Sequence, residues 1–322
     1  MQKVNRVAVI EVGSRAVRLL VADVSRESGL QVVGTDWKET GLAEGLDIGG
    51  SEAEVRLNQV NGTLGRFCVR AREFQPTRIA AFGTEAIRRV EAKGVERLRE
   101  ICPDFRVLSR KEEAELSFLT GVMGVPQEDG VKQDSLVIDQ GSGSMEVIVG
   151  TAQATKVRVD DSRSYRLGTR ELVKILQEKG NLPGLRKTLV KRFAEYQPLM
   201  ELLTGRPIIL GSAATKIAWI KASQNSNARY DPRQVHGCVI TVNEVVAFTG
   251  IAVVDPKTAR QWIDPRNPES GEFETVVSGL VALEVFLKRE KKEDFVVCAH
   301  GTRYGFAWKL GFEKPERTGP EL

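Results

Sequence analysis

Two stretches of the chain are versions of each other, and this limits the fold more than any other feature. VAVIEVGSRAVRLLVA, residues 7–22, aligns with SLVIDQGSGSMEVIVG, residues 135–150. The alignment sets Glu11 on Asp139, Gly13 on Gly141, Ser14 on Ser142, and Leu19-Leu20-Val21 on Val147-Ile148-Val149. In each copy an apolar, β-branched run reaches a carboxylate, breaks at a glycine-serine turn and resumes as a second apolar run. Short Val/Ile-rich runs broken in this way read as tight β-hairpins with a buried face. A turn this bare leaves backbone N–H groups unobstructed by side chains, so it can close around phosphate oxygens. One glycine-serine turn would be commonplace, but two, each preceded by a carboxylate at the same place, point to a repeated anion-binding unit.

A repeat needs room for two cores, and 322 residues with 41% apolar composition supply it. The polar segment GVPQEDGVKQD, residues 124–134, is the expected crossing. It separates an N-terminal lobe, 1–127, from a C-terminal lobe, 128–322, whose last helical segment can return to the first lobe. A net charge of +4 suits local handling of anions and is too small for a surface that coats nucleic acid. No window approaches eighteen apolar residues, so no membrane span is expected. Cys68, Cys102, Cys238 and Cys298 stand singly among apolar neighbours, which reads as buried thiols in a reducing, cytoplasmic compartment. The two histidines, His236 and His300, are too few for a histidine-rich zinc site and lack a nearby nucleophile motif. They read as structural or surface residues, which leaves acid–base work to carboxylates.

Between and beyond the hairpins the pattern alternates strand and helix. Helical spacing runs through Glu52 to Glu73 with Ser51 as N-cap, and a strand at Thr77 to Ala81 leads to a helix carrying Arg88 and Arg89. A strand at Phe105 to Leu108 precedes a helix whose Ser109 and Glu112 have capping-box spacing. In the second half, helices are expected at 169–179, 185–203, 243–253 and 274–289. Strands are expected at 207–210, ending in Gly211-Ser212, and at 295–298. The basic run Arg186 to Arg192 reads as a solvated helix face, with a polyanion track as the sharper alternative.

Taken in order, VAVIEVGSRAVRLLVADV, AFGTEAIRRV, LSRKEEAELSFLTGV, LVIDQGSGSMEVIVG, YRLGTREL, IILGSAAT, VHGCVIT, VVSGLVALEVFL and AHGTRYGFA resemble the exopolyphosphatase and guanosine pentaphosphate phosphatase family. That family belongs to the superfamily of actin, Hsp70 chaperones and sugar kinases. The resemblance implies an α/β fold of two ribonuclease-H-like lobes, each a mixed five-stranded sheet flanked by helices, with a cleft between them. It places the catalytic base at Glu113 and phosphate contacts at Gly13, Ser14, Arg15, Arg88, Gly141, Ser142, Gly143 and Ser144. A cation, Mg²⁺ or Mn²⁺, falls to Glu11, Asp139 and Glu146, and a nucleotide or chain contact to Gly211 and Ser212. Such residue types suit the chemistry: a carboxylate orients water, an arginine fork meets two phosphoryl oxygens, and hard oxygens hold the cation.

Several positions depart from the family pattern. Arg15-Ala16 replaces Asn-Ser, Glu11 replaces aspartate, Ser142 glycine, Met145 threonine, Ala92 asparagine and Arg110 glycine. The sequence therefore supports a metal-dependent hydrolase of polyphosphate or guanosine pentaphosphate, with a non-hydrolysing binder of the same ligands as the alternative and a kinase as a third. A homodimer is compatible with the family but no exposed apolar stripe demands it.

Overall fold

The computed structural model describes residues 4–125, 135–153, 156–196, 205–223 and 231–313. In chain order the first elements are β1 (Asn5–Val12), β2 (Ala16–Ser25), β3 (Gly29–Glu39), α1 (Leu42–Ile48), α2 (Gly50–Glu73) and β4 (Arg78–Gly83). A 3₁₀ turn (Ile87–Arg89) follows, then α3 (Ala92–Ile101), β5 (Phe105–Val107) and α4 (Arg110–Gly124). Next come β6 (Ser135–Gln140), β7 (Met145–Gln153), β8 (Lys156–Tyr165), α5 (Thr169–Lys179), α6 (Leu182–Ala194), β9 (Ile208–Gly211) and α7 (Ser212–Ala222). The chain ends with α8 (Pro232–Val235), β10 (Val239–Thr241), α9 (Val242–Val254), α10 (Pro256–Ile263), α11 (Glu272–Arg289), β11 (Asp294–Cys298) and α12 (Thr302–Phe312). Two compact units result, Met1–Leu116 with Thr302–Leu322, and Ser117–Gly301. The expected crossing segment lies outside the described residues from 126 onward, as does the second half of the helix expected at 185–203 from 197 onward.

The first unit holds a five-stranded sheet in the order β3-β2-β1-β4-β5. β1 pairs antiparallel with β2 and parallel with β4, and β4 is parallel to β5. Val7 to Ile10 are buried without a break because the sheet is covered on both faces. Ala8, Ile10, Val17, Leu19 and Val21 pack with Val60, Leu64 and Phe67 of α2. On the other face Phe306 of α12 stacks on Phe82 at 4.8 Å, and Gly311 lies so close to Val24 that a Cβ there would meet it at 2.8 Å. α12 thus returns to the sheet where the chain began. α2 starts one residue before Ser51 with Gly49 as N-cap at φ +80°, so Ser51 falls inside the first turn instead of capping it. Arg88 sits on one 3₁₀ turn, not on a longer helix. Gly83 enforces that sharp exit from β4, since a Cβ there would lie 2.3 Å from the Ile87 side chain.

The second unit repeats this plan in a six-stranded sheet, β10-β11-β9-β6-β7-β8. β6 pairs antiparallel with β7 and parallel with β9, which is parallel to β11. Strands β8-β7-β6-β9-β11 therefore correspond to β3-β2-β1-β4-β5. The sixth, β10, is three residues long and antiparallel to β11, so the expectation of five strands holds for one sheet and falls one short for the other. α11 is buried without a break from Val276 to Leu287 and forms the centre of this core, which includes Leu172 of α5, Leu185 and Leu189 of α6 and Val245 of α9. Its one acidic buried residue, Glu284, receives hydrogen bonds from Arg186 and Lys288, each at 2.8 Å. Two of the cations in the basic run are thereby committed to structure: Arg186 to this bond, and Arg192 to Glu171 at 3.4 Å. Among the described residues no helix is long and apolar enough to cross a membrane.

Candidate active site

In an open α/β sheet, ligands collect at the carboxyl ends of strands where strand order reverses. In the first unit that point lies between β1 and β4, and every candidate residue of this unit leaves the sheet at this end. β1 and β2 are joined by the turn at Gly13, closed by Gly13 N–H donating to the Ala16 carbonyl at 3.0 Å. The segment entering α1 braces this turn: Thr40 and Gly41 N–H donate to the Arg15 carbonyl and Ala43 N–H to the Ser14 carbonyl, all at 2.9 Å. In a trans peptide the N–H points opposite its C=O. Fixing the Ser14 carbonyl toward the brace therefore turns the Arg15 N–H away from it.

β4 leads through Thr84 to Arg88, and β5 leads through Ser109 to α4. Arg88 Nη1 donates to the Leu108 carbonyl and to Glu113 Oε2, both at 2.8 Å. The two side chains are 24% and 18% exposed, so this ion pair is largely shielded from water yet reachable. Ser109 and Glu112 form the expected reciprocal cap: Ser109 N–H donates to Glu112 Oε2 at 2.8 Å and Glu112 N–H to Ser109 Oγ at 3.2 Å. The Ser109 hydroxyl and N–H hold the Glu112 carboxyl below its ordinary range. With Glu112 engaged in the cap, Glu113 is the carboxylate of that turn directed to Arg88.

Glu11 is held differently from its counterpart in the repeat. Its partner across the hairpin is Arg18, and Arg303 of α12 donates to it at 3.4 Å. Burial pushes the Arg18 guanidinium below its ordinary value, opposed by the nearby Glu11 charge. Arg15 reaches outward to Glu39 at 2.8 Å, and Ser14 Oγ lies 3.3 Å from Glu85. Sequence reasoning missed Arg18 and Arg303. The first was readable, because the hairpin register places residue 18 opposite residue 11.

The second unit builds its turn in the same manner. Gly141 N–H donates to the Ser144 carbonyl at 2.9 Å, matching the Gly13 bond. The brace is now the start of α5, where Thr169 N–H donates to the Gly141 carbonyl at 3.0 Å and Arg170 N–H to the Ser142 carbonyl at 3.1 Å. By the same peptide geometry the Ser142 and Gly143 N–H groups point away from α5. Gly168 makes this approach possible. A Cβ on it would lie 2.3 Å from Gly143 C, 2.4 Å from Ser144 N and 2.5 Å from the Ser142 carbonyl oxygen.

Asp139 and Glu146 are direct partners across the hairpin, a pairing that puts two carboxylates on one face about 5 Å apart at Cβ. Asp139 accepts from Ser117 Oγ at 2.5 Å and Glu146 from Ser164 Oγ at 3.0 Å. Gly211, at the end of β9, has φ +123°, and a Cβ there would lie 2.6 Å from the Gln140 carbonyl oxygen. Only glycine fits, and Ser212 then opens α7. The structure therefore brings Asp139, Glu146, the turn at 141–144 and Gly211-Ser212 to one sheet edge of this unit. It brings Glu11, the turn at 13–15, Arg88 and Glu113 to the corresponding edge of the other.

A family profile described as the Ppx/GppA phosphatase family matches residues 20–310, nearly the whole chain and both units. The chain belongs to the Ppx/GppA phosphatase family. The solved structure of the Aquifex aeolicus Ppx/GppA family member superposes with a TM-score of 0.78 at 22% identity, covering 96% of this chain and 98% of that one. This match shows the two-lobed, actin-like fold. Exopolyphosphatase 2 of Mycobacterium tuberculosis is 24% identical over 327 residues, 95% of this chain and 98% of the relative. A Haemophilus influenzae protein, provisionally named an exopolyphosphatase, is 30% identical over 151 residues, spanning 46% of this chain and just under half, 45%, of the relative. Membership of the Ppx/GppA family identifies a phosphatase architecture. The residues of each sheet edge indicate how it would be used.

Proposed function

We propose that the chain is an exopolyphosphatase-type hydrolase that removes the terminal phosphate of inorganic polyphosphate or of a guanosine pentaphosphate. The observation that carries this reading is the shielded Glu113–Arg88 pair at the strand ends where the first glycine turn also leaves the sheet. Phosphoanhydride cleavage needs a positioned water and neutralised phosphoryl oxygens. Glu113 accepts the proton of the attacking water. As the new P–O bond forms, the bond between the terminal phosphorus and the bridging oxygen breaks, and the bridging oxygen leaves with the electron pair on the shortened chain. Arg88 keeps Glu113 in place through Nη1 and presents its other guanidinium edge, Nε with Nη2, to phosphoryl oxygens. The braced turns at 13–15 and 141–144 donate main-chain N–H bonds to phosphate, a role that needs no particular side chain and so tolerates Arg15, Ala16 and Ser142.

The donor sets distinguish the three carboxylates proposed for the cation. Asp139 and Glu146 are paired hard-oxygen donors and fit Mg²⁺ or Mn²⁺. Glu11, bound to Arg303 and opposite Arg18, fits a counter-charge that organises two arginines better than a metal ligand. The cation, when bound, supplies neutralisation of phosphoryl charge. Gly211 and Ser212, at the start of α7, are the proposed contact for nucleotide or distal chain. Four free cysteines agree with a reducing, cytoplasmic setting.

The test is orthophosphate release by the purified chain from medium-chain polyphosphate and, separately, from guanosine pentaphosphate, with Mg²⁺. Release from either is expected, and the ratio of the two kcat/KM values identifies the preferred substrate. Tight binding of both with no release would replace the hydrolase by a binding protein of the same fold.

A further inference from the structure

We propose that His236, Cys298 and His300 form a site for one borderline-soft divalent cation, Zn²⁺ above all, in the second unit. The chain has two histidines, and both meet a buried cysteine: ligand atoms of the three residues all lie within 4.8 Å of one another. Two separate segments bring them there. Cys298 ends β11, His300 lies two residues on, and His236 is the C-cap of α8. The imidazoles stack at 4.2 Å with planes 19° apart. The sequence alone reads both as structural or surface residues.

The last residue of α4 closes one side of the cluster. A Cβ on Gly124 would stand 3.1 Å from His300 Nδ1, 3.2 Å from Cys298 Sγ and 3.5 Å from His236 Cε1. Gly124 thus packs directly against all three residues, and a side chain there would press on them. The Gly124 carbonyl meanwhile lies 2.6 Å from His236 Nε2, while His236 Nδ1 lies 3.2 Å from the Ala299 N–H. A carbonyl can only accept and an amide N–H can only donate, so these partners assign the Nε2–H tautomer. An ion at Nδ1 displaces the longer bond and keeps the shorter, which is the outer-shell arrangement that orients metal-binding histidines. Coordination also turns one ring out of the stack about its terminal torsion, which has a broad minimum.

A two-nitrogen, one-thiolate donor set selects Zn²⁺, with water as fourth ligand, over Mg²⁺. The Asp139–Glu146 pair selects the reverse. Both imidazoles are half-buried, which gives an entry path, whereas Cys298 is fully buried. Register sets Cys298 beside Leu210 and Leu210 beside Asp139, so the site lies about 10 Å, two strand spacings, from the Asp139 backbone. A cation there adds fixed positive charge on the edge that carries the second turn.

The experiment uses the full chain, stripped of metal by a chelator and titrated with Zn²⁺ alone in excess Mg²⁺ against a chromophoric competitor. It is repeated with Co²⁺ as a spectroscopic probe. One equivalent of Zn²⁺ and a thiolate-to-cobalt charge-transfer band are expected. Cys298→Ser is expected to abolish the band and weaken Zn²⁺ binding by at least about 100-fold. Gly124→Ala is expected to weaken Zn²⁺ binding by pressing a methyl against the three residues, while alanine keeps the helix intact. Asp139→Asn leaves both readouts unchanged. Wild-type protein that takes up no Zn²⁺, or Cys298→Ser that binds it as tightly as wild type, overturns the proposal. Neither readout depends on hydrolysis, so the phosphatase reading stands or falls separately.

Discussion

Glu113→Gln is expected to lower kcat for phosphate release by about 10² to 10⁴-fold, the usual contribution of a positioned general base, with little change in KM. Glutamine keeps the size of the side chain and an oxygen that can accept from Arg88 Nη1, so the local structure at 2.8 Å is retained. It lacks the capacity to take a proton from water. The two kinetic constants therefore separate the roles, because loss of a base acts on the chemical step whereas loss of a phosphate contact acts on binding. Glu112→Gln is the informative comparison. Glu112 is one residue away but engaged in the Ser109 cap, a role that glutamine can also fill, so its replacement should leave both the helix and kcat close to wild type. If Glu112→Gln abolished release and Glu113→Gln did not, the base would have been assigned to the wrong carboxylate.

Gly168→Ala is the second large effect. The added methyl would lie 2.3–2.5 Å from three main-chain atoms of the 142–144 turn. Main chain cannot swing aside as the end of a side chain can, so either the turn or the start of α5 must move. Overpacking of this kind costs about 1–3 kcal/mol of stability. The catalytic cost is expected to be larger, since a displacement of about 1 Å in a positioned group can lose about 100-fold in rate. The bonds from Thr169 and Arg170 that orient the turn are lost by the same movement. Gly250→Ala, in α9 with no neighbour near the added methyl, is the matched control and should leave activity unchanged. Full activity in Gly168→Ala would show that the turn need not be held in place.

The two hairpins were legible because burial on both faces writes itself into sequence as unbroken apolar runs, and because they are repeated. The edge strands were not. β3 is largely exposed along its length, and β8 reads as charged coil, with Arg158 bound to Asp160 and Arg163 to Asp161 along its own strand. Charged edges block further pairing, and the same charges hide the strand from a hydrophobic pattern. Ser109 and Glu112 were found because a cap is local. Gly49 was missed as a cap because it acts through φ +80° and not through a side chain. The site divides in the same way. Asp139, Glu146, Arg88 and Glu113 lie within recognisable motifs, whereas the braces at Thr40–Ala43 and Gly168–Arg170 work through main-chain bonds to distant turns. Nothing in the residue types involved announces a carbonyl bonded across 27 positions of chain, as Ser142 is to Arg170 in the second turn, beyond the small residue at 168.

The central claim is that braced glycine-serine turns bind phosphoryl oxygens through main-chain N–H groups. Its most direct test is the amide spectrum of ¹⁵N-labelled Glu113→Gln protein, titrated with inorganic tripolyphosphate and Mg²⁺. The account expects the Arg15 amide in one turn, and the Ser142 and Gly143 amides in the other, each to shift and saturate. Saturable binding that leaves those three amides where they were would contradict it.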